Sequence, residues 1–214
     1  MRVPEALTER LPVLEVLEDA WEPIPRALVV IWLLFYVLFL YQAARGEGFL
    51  LMIDLVFIPI HEGGHLLFRF LGSELLAVAG GTLLQFFVPA ALAIYFVFRR
   101  QAQGTAFCAF FFFEQCLPTA RYMADARALE LPLLTVGDAE YVIHDWNYLF
   151  GRFNVLHYDI QIAGAVRTIG WLGMIGVTLW FAWRGFRDVA PDVAPTVAPV
   201  VASDVVPKKD PLRG

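Results

Sequence analysis

Hydrophobic and polar positions divide the chain into long apolar runs separated by short polar breaks. The five apolar segments cover residues 27–44, 48–71, 75–98, 105–123 and 160–183. Each segment is close to the length of about 20 residues that a helix needs to cross the hydrocarbon core of a bilayer. The pattern therefore predicts an all-α, polytopic membrane protein with about five transmembrane helices.

The composition excludes a water-soluble globule. Of the 214 residues, 59% are hydrophobic and only 17% are charged, whereas soluble domains contain about 45–50% apolar and about 25% charged residues. The formal net charge of −5 gives no electrostatic support for binding a polyanion. We therefore expect the lipid bilayer as the main partner and no nucleic acid.

The two ends of the chain differ from the apolar middle. Residues 1–26 are rich in glutamate, with leucines at roughly helical spacing, which predicts a short amphipathic acidic segment rather than a signal peptide. Residues 185–214 contain a degenerate Val-Ala-Pro repeat, which predicts a disordered tail. The membrane-embedded part is then 27–184, with one long extramembrane loop at 124–159.

Basic residues indicate the orientation of the chain in the membrane. With five spans, Arg45, the pair at 99–100 and the arginines that follow residue 183 fall on one side, which the positive-inside rule makes cytoplasmic. The acidic N-terminus, the turn near Gly72 and the 124–159 loop then lie on the other side. We expect a multi-pass protein of the cell membrane whose C-terminal tail is cytoplasmic.

The second apolar segment contains the motif H-E-x-x-H, formed by His61, Glu62 and His65. Histidines four residues apart on a helix lie on one face and can bind the same Zn²⁺, while the glutamate between them can take a proton from water on that zinc. Ionisable groups inside a membrane helix cost ~2.5–3.5 kcal/mol each on insertion scales, so this group needs partners or a metal. Histidines satisfied by hydrogen bonds between helices, or a segment that is not buried, are the structural alternatives.

A motif of this kind within an apolar helix resembles the site-2 protease superfamily of intramembrane zinc metallopeptidases. In that superfamily the two histidines bind zinc and the glutamate is the catalytic base, roles that fall here on His61, His65 and Glu62. The superfamily's later motif, N-x-x-P followed by L-D-G, is matched loosely at 115–118, which reads Gln-Cys-Leu-Pro, and at 124–126, which reads Ala-Asp-Ala. The resemblance implies that 27–184 is a metallopeptidase-like domain with Zn²⁺ as cofactor, which hydrolyses peptide bonds of membrane-associated proteins.

Asp125 is the predicted third metal ligand, since the resemblance implies an aspartate from a later helix and the second and fourth segments run in the same direction. His144 in the long loop is the alternative third ligand. Asp125 also lies four residues after Arg121 and can pair with it instead. Three further polar residues are expected to support the ligands or to line the path of the substrate: Asp54, Gln85 and Asp145.

Two other functions are compatible with histidines in a membrane protein. A redox membrane protein would hold haem or a di-iron centre. Haem would leave Glu62 without a role, and a di-iron bundle needs two E-x-x-H motifs on separate helices, which the sequence does not supply. A non-catalytic metal-binding membrane scaffold is the third possibility, and turnover separates it from an enzyme.

Overall fold

The computed structural model describes residues 20–46, 50–131 and 144–187, without the side chains of 50–54. Within these ranges the chain is helical and contains no strand, so the all-α prediction is confirmed. The α-helices are α1 (Arg26–Arg45), α2 (Leu50–Arg69), α3 (Glu74–Phe98), α4 (Ala102–Glu114), α5 (Cys116–Ala124), α6 (Asp145–Arg152) and α7 (Asp159–Arg187), with a 3₁₀ turn at Leu156–Tyr158 directly before α7.

Three helical stretches among the described residues are long and apolar enough to cross a membrane. They are α1, α3 and the continuous helix from Leu156 to Arg187. Their outward faces carry large apolar side chains that are mostly exposed, such as Leu34, Leu172 and Leu179. Exposed apolar surface of this extent fits a membrane protein.

The predicted second and fourth segments differ from the other three. The second segment corresponds to α2, which carries the ionisable residues of the motif. The fourth segment is broken at Gln115 into α4, with 13 residues, and α5, with 9 residues. Pro118 explains this break, because its ring nitrogen cannot donate a hydrogen bond to the carbonyl of Glu114. Within the described ranges, three helices are thus long and apolar enough to span a membrane, where the sequence pattern predicted about five.

Aromatic side chains form the core between α1, α4 and α7. Tyr36, Phe39, Phe110 and Phe181 are almost completely buried. The ring centroids of Tyr36 and Phe110 lie 4.9 Å apart, and those of Tyr36 and Phe181 lie 5.7 Å apart. This packing fixes α4, and it therefore also fixes the polar residues at the junction between α4 and α5.

Glycines allow α2 and α3 to pack closely as an antiparallel pair. The connection includes Gly72 with a φ of 69°, a left-handed conformation that favours glycine. A Cβ on Gly64 would lie 2.2 Å from the carbonyl oxygen of Gly80, so no larger residue fits there without a shift of the backbone. The two helices consequently bring the H-E-x-x-H motif directly against α3.

Residues 21 and 22, just before α1, lie at a different end of the protein from the one predicted. The backbone N–H of Glu22 donates to the carbonyl oxygen of Arg100 at 3.0 Å. Trp21 packs edge-on against Trp180, and the guanidinium groups of Arg100 and Arg184 lie over its ring. The N-terminal segment was expected on the side opposite Arg99–Arg100. For residues 21 and 22 this expectation is wrong, because their contacts hold them next to Arg100 and Arg184.

Some of the sequence-based boundaries fall partly or wholly outside the described residues. Residues 1–19 of the predicted acidic segment and 188–214 of the predicted tail lie outside them, as does the side chain of Asp54. Helix α7 continues to Arg187, beyond the predicted start of the tail at 185. The long loop at 124–159 contains helix α6, which the hydrophobic pattern did not predict.

Candidate metal centre

Two histidines of α2 and one aspartate of α6 converge on a single point. Asp145 Oδ2 lies 3.0 Å from His61 Nε2 and 3.3 Å from His65 Nε2. Each of the three residues offers one ligand atom, and these atoms all lie within 4.8 Å of one another. Among the described residues, this His–His–Asp group (His61, His65 and Asp145) could hold a metal ion.

The other nitrogen of each imidazole is held by a hydrogen-bond acceptor on α3. His61 Nδ1–H donates to Gln85 Oε1 at 2.9 Å, and His65 Nδ1–H donates to the backbone carbonyl oxygen of Ala77 at 2.8 Å. In neutral imidazoles with these bonds, both Nε2 atoms carry lone pairs that face the carboxylate of Asp145. Three electron-pair donors that face each other need a cation between them, either a proton or a metal ion.

The two imidazoles pack directly against α3 because residue 81 lacks a side chain. A Cβ on Gly81 would lie 2.5 Å from His65 Nε2 and 2.7 Å from His61 Nε2. Both distances are too short for a real contact, so an alanine at this position would displace the nitrogens that face Asp145.

The donor atoms of the His–His–Asp group fit a tetrahedral ion in chemistry, and the two distances to Asp145 fit it in spacing. Ligand atoms at about 2.0–2.2 Å around tetrahedral zinc lie about 3.3 Å from one another. The two distances from Asp145 to the histidines, 3.0 and 3.3 Å, are close to that value. Two imidazoles and one carboxylate also match the three protein ligands of many catalytic zinc sites.

Asp145 reaches the site because the start of α6 is fixed to the end of α5. His144 caps α6, since its Nδ1 accepts a hydrogen bond from the backbone N–H of Asn147. The backbone N–H of Asp145 donates to the hydroxyl of Tyr122 at 3.1 Å. The amide of Asn147 donates to the carbonyl oxygen of Ala126 at 2.8 Å. These contacts hold the first turn of α6 against α5 and direct the aspartate toward α2.

The structure does not bring the predicted third ligand, Asp125, into the His–His–Asp group. Its Oδ1 accepts a hydrogen bond from the backbone N–H of Glu130, and its Oδ2 accepts one from that of Leu131. The alternative ligand, His144, has its Nε2 atom 3.4 Å from Asp125 Oδ2. The two predicted candidates therefore contact each other beside the site. The carboxylate that lies with the two histidines belongs to Asp145, which was expected only in a supporting role.

Asp145 is a charged group in a buried position, and its surroundings favour the charged form. Burial alone would raise the pKa of its carboxyl. With a proton on Nε2 in the metal-free site, hydrogen bonds and charge interactions from His61 and His65 outweigh that effect and lower the pKa of Asp145 below its ordinary value. The carboxylate is therefore ionised and available as a ligand at neutral pH.

Glu62 lies beside the His–His–Asp group without belonging to it. Its side chain is half-buried, and its carboxylate interacts electrostatically with His65 and with the hydroxyl of Tyr122. It is not one of the residues whose ligand atoms converge. This position leaves its carboxylate able to accept a proton next to the site.

Gln85 was expected to support the ligands or to line the substrate path, and it accepts a hydrogen bond from His61. Its side chain is buried between α2 and the junction of α4 and α5, and its amide nitrogen donates to Gln115 Oε1. The position of Gln85 early in the third segment, on the side where the second segment ends, indicated this residue, whereas Gln115 stood only in a loosely matched motif.

Comparison of the chain with protein families, with curated proteins and with solved structures gives no match. The fold and the site by themselves define an all-helical protein that fits a membrane environment and carries a candidate metal centre.

Proposed function

We propose that the protein is a membrane-embedded zinc metallopeptidase of the kind that the H-E-x-x-H motif implies. The observation that carries this proposal is the convergence of ligand atoms from His61, His65 and Asp145, which all lie within 4.8 Å of one another. The i, i+4 histidines with a glutamate between them favour hydrolysis over the other uses of two imidazoles and a carboxylate, such as non-haem iron.

The residues of the site divide into metal ligands and a proton carrier. His61, His65 and Asp145 would hold the ion. When bound, zinc lowers the pKa of water and polarises a carbonyl group. Glu62 takes a proton from the attacking water while the oxygen of that water bonds to the peptide carbonyl carbon. Glu62 then passes the proton to the amine nitrogen as the C–N bond breaks.

The proposed substrate is an extended segment of a membrane-associated protein. A helix in the bilayer satisfies its own backbone hydrogen bonds, so a segment must leave the helical conformation before its scissile bond is accessible. We also propose that α2 and the α4–α5 pair lie within the bilayer beside the three apolar spans. The site would then lie below the non-cytoplasmic face, with the C-terminal tail in the cytoplasm of a multi-pass cell-membrane protein.

The test combines metal analysis with turnover on the purified full-length protein. Glu62→Gln should retain about one zinc per chain and lose hydrolysis of a membrane-protein fragment by ~10²–10⁴-fold or more, whereas His65→Ala should lose the metal. Normal turnover by Glu62→Gln would contradict the mechanism. Bound zinc without turnover in the wild type would indicate a scaffold, and bound iron with visible absorption would indicate a redox protein.

A further inference from the structure

A chain of buried side-chain amides connects His61 to a carboxylate on another helix. His61 Nδ1–H donates to Gln85 Oε1, the amide nitrogen of Gln85 donates to Gln115 Oε1, and the amide nitrogen of Gln115 donates to Glu114 Oε2 at 2.6 Å. This relay (His61, Gln85, Gln115 and Glu114) crosses from α2 through α3 to the junction between α4 and α5.

The burial of these residues requires an explanation. Glu114 and Gln115 are completely inaccessible to solvent, and Gln85 is 9% exposed. Glu114 directly follows the four phenylalanines at 110–113. A buried carboxylate costs several kcal/mol unless hydrogen bonds and charges compensate it, and replacing such groups with apolar residues is often stabilising. The relay therefore points to a role other than stability.

The hydrogen bonds of the relay give the two amides one consistent orientation. Gln115 presents its NH₂ group to Glu114 Oε2 and its oxygen to Gln85. Gln85 then presents its NH₂ group to Gln115 and its oxygen to His61. This oxygen in turn requires a hydrogen on Nδ1 of His61, which leaves the lone pair on Nε2, where the His–His–Asp group needs it.

We propose that Glu114 is a positioning residue that fixes the tautomer and the ring orientation of His61 through Gln115 and Gln85. The proposal rests on the proposed function in so far as His61 is a metal ligand. A histidine that binds metal commonly donates its other N–H to a carboxylate or a carbonyl group, and loss of that partner weakens metal binding. Here the amides of Gln85 and Gln115 connect the imidazole of His61 to the carboxylate of Glu114, which does not contact the ring directly.

His65 provides an internal control. Its Nδ1–H donates to the backbone carbonyl of Ala77, which no side-chain substitution removes. Cutting the relay should therefore change His61 and leave His65 as it is. A general loosening of the fold would affect both histidines.

The first experiment is ¹⁵N NMR of the metal-free full-length protein, labelled on histidine, at about pH 9, where imidazoles are largely neutral. Every sample carries Asp145→Asn, because a carboxylate 3.0 Å from His61 Nε2 and 3.3 Å from His65 Nε2 would itself hold a proton on those atoms. With the relay intact, His61 and His65 should be Nδ1–H tautomers. Adding Glu114→Leu should give a mixture of tautomers at His61 alone. Adding Glu114→Gln, which retains an acceptor oxygen, should leave most of that spectrum unchanged, and adding Thr105→Val, a buried change elsewhere in α4, should have no effect.

Gln85→Met gives a second way to cut the relay if Glu114→Leu does not fold. This substitution lies on α3 rather than on α4, and it removes the oxygen that accepts the hydrogen bond from His61. It should produce the same mixture of tautomers at His61. With Asp145→Asn as the background, an Nε2–H tautomer of His61 while Gln85, Gln115 and Glu114 are all present would overturn the proposal. Equal changes at His61 and His65 in either variant, or no change at His61, would overturn it as well.

The second experiment is a double-mutant cycle on the affinity for Zn²⁺. Gln85→Met and Glu114→Leu should each lower the affinity by about 10–100-fold. The double variant should be no weaker than the weaker single variant, because both substitutions interrupt one relay. Independent, additive losses would contradict the relay. If the wild type binds no divalent ion, the proposed function fails, whereas the tautomer of His61 still decides the proposal about Glu114.

Discussion

Asp145 Oδ2 lies 3.0 Å from His61 Nε2, although 84 residues separate them along the chain. The histidine belongs to α2, and the aspartate belongs to the first turn of α6. The site is therefore closed by a tertiary contact, and its integrity depends on how the segment that carries Asp145 packs against α5.

Asp145 should matter more for metal binding than Asp125. Asp145→Asn removes the charge and the preferred ligand atom, so the affinity for Zn²⁺ should fall by orders of magnitude. Asp125→Asn changes only a residue that supports the start of α6, and its effect should be at most about tenfold, in the lower range of supporting contacts. Competition with a chromophoric chelator measures both affinities. An empty site in Asp125→Asn with a filled site in Asp145→Asn would restore Asp125 as the third ligand.

Gly81→Ala should prevent metal binding because of the space that its methyl group takes. The added Cβ would lie 2.5 and 2.7 Å from the two histidine Nε2 atoms, so the imidazoles would have to move away from Asp145. Gly63→Ala is the matched control within the motif, since its Cβ would meet only Leu84 Cδ2 at 4.0 Å. Equilibrium dialysis with Zn²⁺ should show at least about 100-fold weaker binding for Gly81→Ala, with circular dichroism as a check on folding. Equal affinity of the two variants would place the ion elsewhere.

The histidine pair could be predicted from the sequence, but its carboxylate partner could not. Positions 61 and 65 share a helix face by the local geometry of any α-helix. The position of Asp145 depends instead on a short helix within a polar loop and on contacts between α5 and α6. The spacing of Asp125 along the fourth segment also assumed one continuous helix, whereas Pro118 accompanies a break at Gln115.

A local signal for α6 was nonetheless present. An acidic residue in the first turn is typical of the start of a helix, and Asp145 has this position in α6, whereas the cap is His144, which is not one of the usual N-cap residues. The pattern gives the position of the helix in the sequence, but not the surface against which it packs. The predicted all-α class needed only the hydrophobic pattern, which is why it is confirmed.

Asp125 should make the stability of the protein depend on pH. Burial raises the pKa of its carboxyl, but hydrogen bonds from the backbone N–H groups of Glu130 and Leu131, together with His144, lower it below the ordinary value of 3.8. A carboxyl with a depressed pKa in the folded state contributes stability above the unfolded pKa and loses it as the pH falls through the folded pKa. Asp125→Asn should therefore lower the melting temperature at neutral pH.

The difference in melting temperature between the wild type and Asp125→Asn should shrink as the pH falls below 3.8, the ordinary pKa of the carboxyl. Thermal unfolding of wild type and Asp125→Asn in the same detergent measures it, with metal-free protein so that release of an ion does not contribute. A difference that stays constant down to the lowest accessible pH would show that the ionised carboxylate is not the stabilising form.

The turn between α2 and α3 should lie on the same face of the membrane as α6. Helix α3 separates this turn from Arg99 by 25 residues, a length that crosses a bilayer, and α6 must be near the turn for Asp145 to reach His65. Single cysteines at Leu71 and Gly151 should therefore react with an impermeant maleimide from one face, and those at Gln101 and Arg187 from the other, with Gln101 and Arg187 on the cytoplasmic side. The native Cys108 and Cys116 are buried and should contribute little background, which the wild type without added cysteines measures. Labelling of Leu71→Cys and Gly151→Cys from opposite faces would contradict the contact between α2 and α6, because Asp145 and the histidines could not then form one site.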